Sequence, residues 1–114
     1  VLLISHVLGE LDAAGERALL AQVGVARRVL WVEPGSRSVS RRLSGMRDRL
    51  VADFHVVAPC PHRGPCPALR SDTDWCHFFA APPNEVYTDG PWVRMTRELG
   101  IDQRALPYAF LCLD

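Results

Sequence analysis

VLWVEPG, Val29 to Gly35, decides the fold. It is a continuous apolar run of strand length that closes on a Pro-Gly turn signal, and a run without polar alternation suits a strand covered on both faces. Upstream lies a second such run, VLLIS, Val1 to Ser5. Between the two, GERALLAQV (Gly15 to Val23) carries helix formers with Ala18, Leu19 and Val23 as its apolar positions. Asp12 is placed to cap that helix and Gly24 to stop it. Downstream, Ser38 to Val51 puts Val39, Leu43, Met46 and Leu50 on one helical face with the arginines elsewhere, and FHVVA (Phe54 to Ala58) reads as a third short strand. The order strand, helix, strand, helix, strand predicts βαβ units and a parallel sheet with right-handed crossovers.

Beyond Ala58 the chain changes character. Ala80 to Pro91 reads as loop, with Pro82-Pro83 and Asp89-Gly90; Trp92 to Leu99 reads as a short helix ended by Gly100; YAFLCLD, Tyr108 to Asp114, closes as a strand. The parts are then a βαβαβ half over residues 1–58, a cysteine-rich stretch and loop over 59–91, and a closing helix and strand over 92–114. With 114 residues, 48% apolar and 23% charged, the composition is that of one globular domain and excludes a disordered tail. No apolar span approaches transmembrane length, so no membrane partner is expected. The opening inside a strand-like run predicts that the chain is part of a longer protein whose upstream half pairs with it. A half sheet by itself exposes strand edges and is expected to be poorly soluble.

A formal net charge of +0 gives the whole chain no bulk attraction to nucleic acid. The distribution is uneven, however. All 13 basic residues are arginines, and Arg37, Arg41, Arg42, Arg47 and Arg49 fall between Ser36 and Leu50 against one acid, Asp48. Arginine reads phosphate bidentately, which makes these five candidates for RNA backbone contacts. The plainer reading is the solvated face of a helix in an arginine-rich chain.

In open α/β sheets ligands gather at the carboxyl ends of the parallel strands. Those ends are Ser5-His6 with Glu10 nearby, Glu33-Pro34-Gly35, and Ala58-Pro59-Cys60. Ser5, His6 and Glu33 are accordingly the candidates for lining a cofactor crevice. No G-x-G-x-x-G turn is present, so the main half of such a site is expected upstream of Val1.

The third rim segment opens the stretch APCPHRGPCPALRSDTDWCHFF, Ala58 to Phe79. Cys60, Cys66 and Cys76 are separated by five and nine residues, and Cys112 lies on the last strand. The apolar content makes disulfide staples unnecessary, and clustered cysteines in a reducing interior are more often ligands or catalysts. Zinc fingers and ribbons show paired C-x-x-C knuckles, absent here, whereas an iron–sulfur cluster accepts wider and less regular separations. Pro61 and Pro67 bias Cys60 and Cys66 towards extended backbone and stiffen the loop. A zinc site of three cysteines with His62 or His77 remains the competing arrangement, and Cys112 is alternatively a buried apolar residue of its strand. Trp75 and Phe78 are expected to form an apolar lid. A Cys–His nucleophile is conceivable, though nothing singles out one thiol as activated.

SHVLGEL (Ser5 to Leu11), VEPGS (Val32 to Ser36), VAPCPH followed by CP and WCHF (Val57 to Phe78) and, more weakly, PYAFLCLD resemble the Rsm-twenty-two, or methyltransferase-like seventeen, proteins of the small ribosomal subunit, found in mitochondria and as bacterial relatives. The resemblance implies the second half of a class I (Rossmann-like) methyltransferase sheet, from its fourth strand onward, with the cysteine stretch inserted before the last strand. It also implies a 4Fe-4S cluster on Cys60, Cys66, Cys76 and Cys112, mainly structural in role. The implied partners are the small ribosomal subunit and its RNA, in the mitochondrial matrix of a eukaryote or the cytoplasm of a bacterium. An active S-adenosylmethionine-dependent RNA methyltransferase and a zinc-stabilised RNA-binding module are the alternatives. The chain departs from the family pattern at Phe79 to Ala81, where polar or basic residues commonly follow WCHF.

Overall fold

A computed structural model describes residues Val1 to Asp114. The apolar runs form strands: β1 is Leu2–Ser5, β2 Val29–Pro34 and β3 Val56–Ala58, with a two-residue β4 at Phe78–Phe79 and a seven-residue β5 at Pro107–Leu113. Four helices accompany them: α1 Ala13–Gly24, α2 Arg37–Leu50, α3 Glu85–Thr88 and α4 Gly90–Leu99. Asp12 caps α1, its Oδ1 accepting from the Gly15 amide at 2.8 Å. Gly100, at φ 64°, ends α4 in the left-handed conformation that glycine adopts without strain. The stretch 80–91, expected as loop, contains α3 and the start of α4.

The sheet is mixed, which corrects the all-parallel expectation. Strands β1 and β2 pair in parallel, Leu2 against Val29 through Ser5 against Val32. The last strand, β5, then inserts between β2 and β3, antiparallel to both, and gives the order β1-β2-β5-β3. Sequence order alone does not reveal such an insertion, because a strand's place in a sheet depends on pairings between distant residues. Strand β4 pairs with β5 as well, Phe78 against Tyr108 and Phe79 against Pro107. Since β2 occupies one edge of β5, strands β3 and β4 share the other. The chain therefore leaves that edge at Ala58, opposite Cys112, and rejoins it opposite Tyr108.

One face of the sheet is covered. Ile4, Val29, Trp31, Val56, Ala109, Leu111 and Leu113 point towards α1 and α2 and join Val23, Leu43, Met46 and Leu50 in one core. Each fully buried aliphatic side chain contributes roughly 1.5–3 kcal/mol to that core. The opposite face carries Leu3, Leu30 and Val57, 66%, 39% and 53% exposed. Coverage on both faces, expected from the unbroken apolar runs, is thus not what these residues have: the covering helices lie on one side.

Candidate metal centre

Helix α2 organises the cysteine stretch. Ser40, Ser44 and Arg47 recur at i, i+4 and i+7 on its buried face, beside Leu43, Met46 and Leu50. Each of the three cysteines between β3 and β4 has one backbone group held by a side chain of this helix. The Ser40 hydroxyl donates to the Cys76 carbonyl. Asp48 accepts the Cys66 amide on both carboxylate oxygens, at 2.9 and 3.1 Å. Arg47 donates to the carbonyls of Cys60 (3.3 Å), His62 and Gly64 (2.9 Å). Arg41 holds the remainder of the stretch, donating to the carbonyls of Ala68 (3.1 Å), Ser71 and Asp74 (both 2.6 Å).

These bonds bring Cys60, Cys66 and Cys76 around one hollow of about 30 Å³, closed by Leu43, Ser44 and Arg47 of α2 and by Ala109 to Leu111 of β5. The hollow lies where the edge of β5 has no strand partner, between the departure of β3 and the return of β4. Burial pushes the Cys76 thiol up in pKa, and the nearby Cys60 and Cys66 push it further. All four cysteines are free thiols. No three His, Cys, Asp or Glu side chains are gathered tightly enough to hold a metal ion, so the thiols share a hollow without converging on one point.

Cys112 stands apart. It alternates with the core residues Leu111 and Leu113 and pairs with the exposed Leu30, which places it on the bare face of the sheet. There it lines a different cavity, with Leu30 and Val57. His62 lines the cysteine hollow, its Nδ1 3.4 Å from Arg47 Nη2. His77 stacks on Trp75 with ring centroids 5.0 Å apart and is not among the residues lining the hollow. The expected lid residues have other partners: Trp75 Nε1 donates to the Gly35 carbonyl at 3.0 Å, and Phe78 packs on Phe110 and Tyr108.

The geometry of Arg47 carries a further fact. Its side chain is 5% exposed, and its Nε is buried with no hydrogen-bond partner. An unpaired polar atom costs about 1–3 kcal/mol when buried, and Arg47 lines the same hollow as the three thiols, so its positive charge suits an anionic occupant there. Thiolate-bound metal groups are of that kind.

Comparison with protein-family models matches residues 1–85 to Rsm22, described as mitochondrial small ribosomal subunit Rsm22. The chain belongs to the Rsm22 family. No curated protein and no solved structure matches it. The family match spans β1 to the start of α3 and so includes Cys60, Cys66, Cys76 and the helix that holds them, but not Cys112.

Within this family member the remaining candidate residues separate clearly. Ser5 and His6 are exposed at the carboxyl end of β1, with Ser5 Oγ 2.8 Å from His6 Nδ1, and His6 occupies the left-handed region at φ 55°, where non-glycine residues are uncommon. Glu33 is fully buried on the core side of β2. One of its carboxyl oxygens accepts from Trp31 Nε1 at 2.8 Å and from the Val7 and Leu8 amides at 3.1 Å; the other has no partner. It acts here as a clamp between β2 and the turn after β1, not as part of an open crevice.

Among the arginines, Arg41 and Arg47 are occupied by the cysteine stretch, and Arg42 binds the Leu11 carbonyl (2.9 Å) and Glu16 of α1 (3.0 Å from Nε). Arg37 and Arg49 are the two that remain exposed. The anchoring roles of Ser40, Arg47 and Asp48 were not read from the sequence. Their signal was polar residues at helical spacing within an apolar stripe, where exposed positions were assumed.

Proposed function

We propose that the chain is part of a methyltransferase-like factor of small ribosomal subunit assembly or translation, with a 4Fe-4S cluster as the occupant of the cysteine hollow. The observation that carries the cluster is the collection of Cys60, Cys66 and Cys76 around one hollow by side chains of a single helix, next to a buried guanidinium with an unpaired Nε. Three thiols at irregular sequence spacing around one hollow suit a polynuclear group, which accepts wider ligand separations than a single zinc ion with ligands at about 2.3 Å. When bound, such a cluster ties the stretch between β3 and β4 to α2 and supplies folding free energy.

The wider reading rests on the family. Membership supports the small ribosomal subunit as partner, with ribosomal RNA phosphates contacted by Arg37 and Arg49. It also favours the mitochondrial matrix in a eukaryote, the cytoplasm being the corresponding place for a bacterial relative. Strands β1 to β4 run one way against β5, with helices on one face and a bare apolar face opposite, which supports half of a larger Rossmann-like methyltransferase sheet. S-adenosylmethionine binding is the second reading. It is favoured by the exposed, left-handed His6 beside Ser5 at a strand's carboxyl end.

Anaerobic purification of the full-length protein followed by iron, sulfide and zinc analysis tests the cluster. About four iron and four sulfide per chain is the expected result; stoichiometric zinc without sulfide sinks the cluster and leaves the zinc-stabilised module. Cosedimentation with small subunits at graded salt tests the partner, and binding that ignores salt refutes the phosphate contacts.

A further inference from the structure

Resting on that reading of the hollow, we propose that Arg47 is the positioning and charge-balancing residue of the thiol-bound group: it holds the Cys60 side of the loop shut and sets the electrostatic environment of whatever the thiols bind. Arg47 combines one carboxylate partner with several backbone carbonyls. One Nη1 bond goes to Asp48 at 2.7 Å, and its other donations go to three carbonyls of the loop backbone, at Cys60, His62 and Gly64. Five donors in a fixed fork suit this task, and a lysine ammonium does not reproduce the fork.

The charges around the hollow then give Arg47 its second role. Asp48 faces the Nη1 end of the guanidinium and is itself bound to the Cys66 amide. With the thiols ionised by metal binding, the site holds three thiolates and one carboxylate against one buried cation. Removal of that cation leaves only negative groups on the protein side, in a medium where charges interact more strongly than in water. Nε is the one buried donor of this guanidinium without a partner in the protein.

His62 is not an equivalent donor. Its Nδ1 faces the Arg47 guanidinium at 3.4 Å, which can only donate, so a neutral His62 in this arrangement carries its proton on Nε2.

The test uses the full-length protein loaded anaerobically, with Arg47→Met and Arg47→Lys beside the wild type. Two quantities are measured: the rate at which a chelator removes iron, and the midpoint potential of the bound cluster. Arg47→Met is expected to lose iron about 10-fold faster or more and to shift the potential negative, because reduction adds an electron where a cation is missing. Arg47→Lys keeps the charge and loses the fork, so its potential returns towards the wild type while its iron loss stays fast. A purely structural role would accelerate iron loss in both variants and leave the potential alone; an unchanged potential in Arg47→Met overturns the charge role, and wild-type retention in Arg47→Lys overturns the positioning role. Should Arg47→Met fail to fold, Arg47→Lys against the wild type still decides positioning, and Arg47→Gln, similar in polarity and without charge, decides the potential. A wild-type protein holding zinc and no sulfide defeats the cluster reading and with it the potential-setting role, and zinc release from the same variants then reads the positioning role: wild-type release from Arg47→Lys overturns it.

Discussion

Replacing Glu33 separates two accounts of the same residue. At the carboxyl end of β2 it had been a candidate for a cofactor crevice, yet the folded chain encloses it completely and gives it three donors: the Trp31 indole N–H and the Val7 and Leu8 amides. Glu33→Ala removes the acceptor and orphans all three in a core that includes Trp31 itself, 0% exposed. Each stranded buried donor costs about 1–3 kcal/mol, so the loss of all three should be about 3–9 kcal/mol. That is a large part of the roughly 5–15 kcal/mol that holds a domain folded. Glu33→Gln keeps a carbonyl oxygen for the three donors but puts an amide N–H₂ where the second carboxyl oxygen has no partner, for a smaller cost of about 1–3 kcal/mol. Urea unfolding of the full-length protein, with the slope checked for constancy, measures both. The order wild type, Gln, Ala is the expected ranking. A Glu33→Ala protein within about 0.5 kcal/mol of wild type, the range of an ordinary surface substitution, would refute the clamp, and loss of S-adenosylmethionine binding without loss of stability would return Glu33 to the crevice.

Gly35→Ala should destabilise by about 1–3 kcal/mol, because the new Cβ would stand 2.7 Å from Pro107 and from the Tyr108 backbone nitrogen; Gly45→Ala, with nothing within 4 Å of its Cβ, should be neutral or stabilising by the same unfolding assay. Serine at Cys60, Cys66 or Cys76 should lower metal content, whereas Cys112→Ser should leave it unchanged, since Cys112 lies on the other face of β5; loss of metal in Cys112→Ser would put that thiol back among the ligands. Arg37→Ala and Arg49→Ala should each reduce the salt slope of RNA binding by about 1, while Arg42→Ala, already bound to Glu16, should leave the slope alone. Asp102, hydrogen-bonded to Arg104, should titrate at about 2. Its lowered pKa means that its small contribution is present at neutral pH and disappears as pH falls through that value. In Arg104→Ala an NMR titration should find the carboxyl back near about 3.9.

Much of the architecture was readable from local pattern. The apolar runs at Val1 and Val29, the cap at Asp12 and the left-handed stop at Gly100 are properties of a few neighbouring residues, and the helices and strands follow them closely. The motifs from Ser5 to Phe78 placed the chain in the family to which residues 1–85 belong. The same local pattern also marked Cys60, Cys66 and Cys76 as a set before any contact between them was known.

What the tertiary structure alone decided depends on which distant segments meet. The insertion of β5 between β2 and β3 separated the faces of the sheet, and by the period-two alternation of a strand it sent Leu111 to the core and Cys112 to the opposite side. Burial likewise assigned the arginines: five similar side chains on one helix became loop anchors, an inter-helix tie and two exposed cations, according to what packed against each turn. Charge and spacing are written in the sequence. The partner that meets a charge is supplied by residues 13 to 33 positions away, as for Arg47 with Cys60 and Arg41 with Asp74, and only the folded chain brings them together.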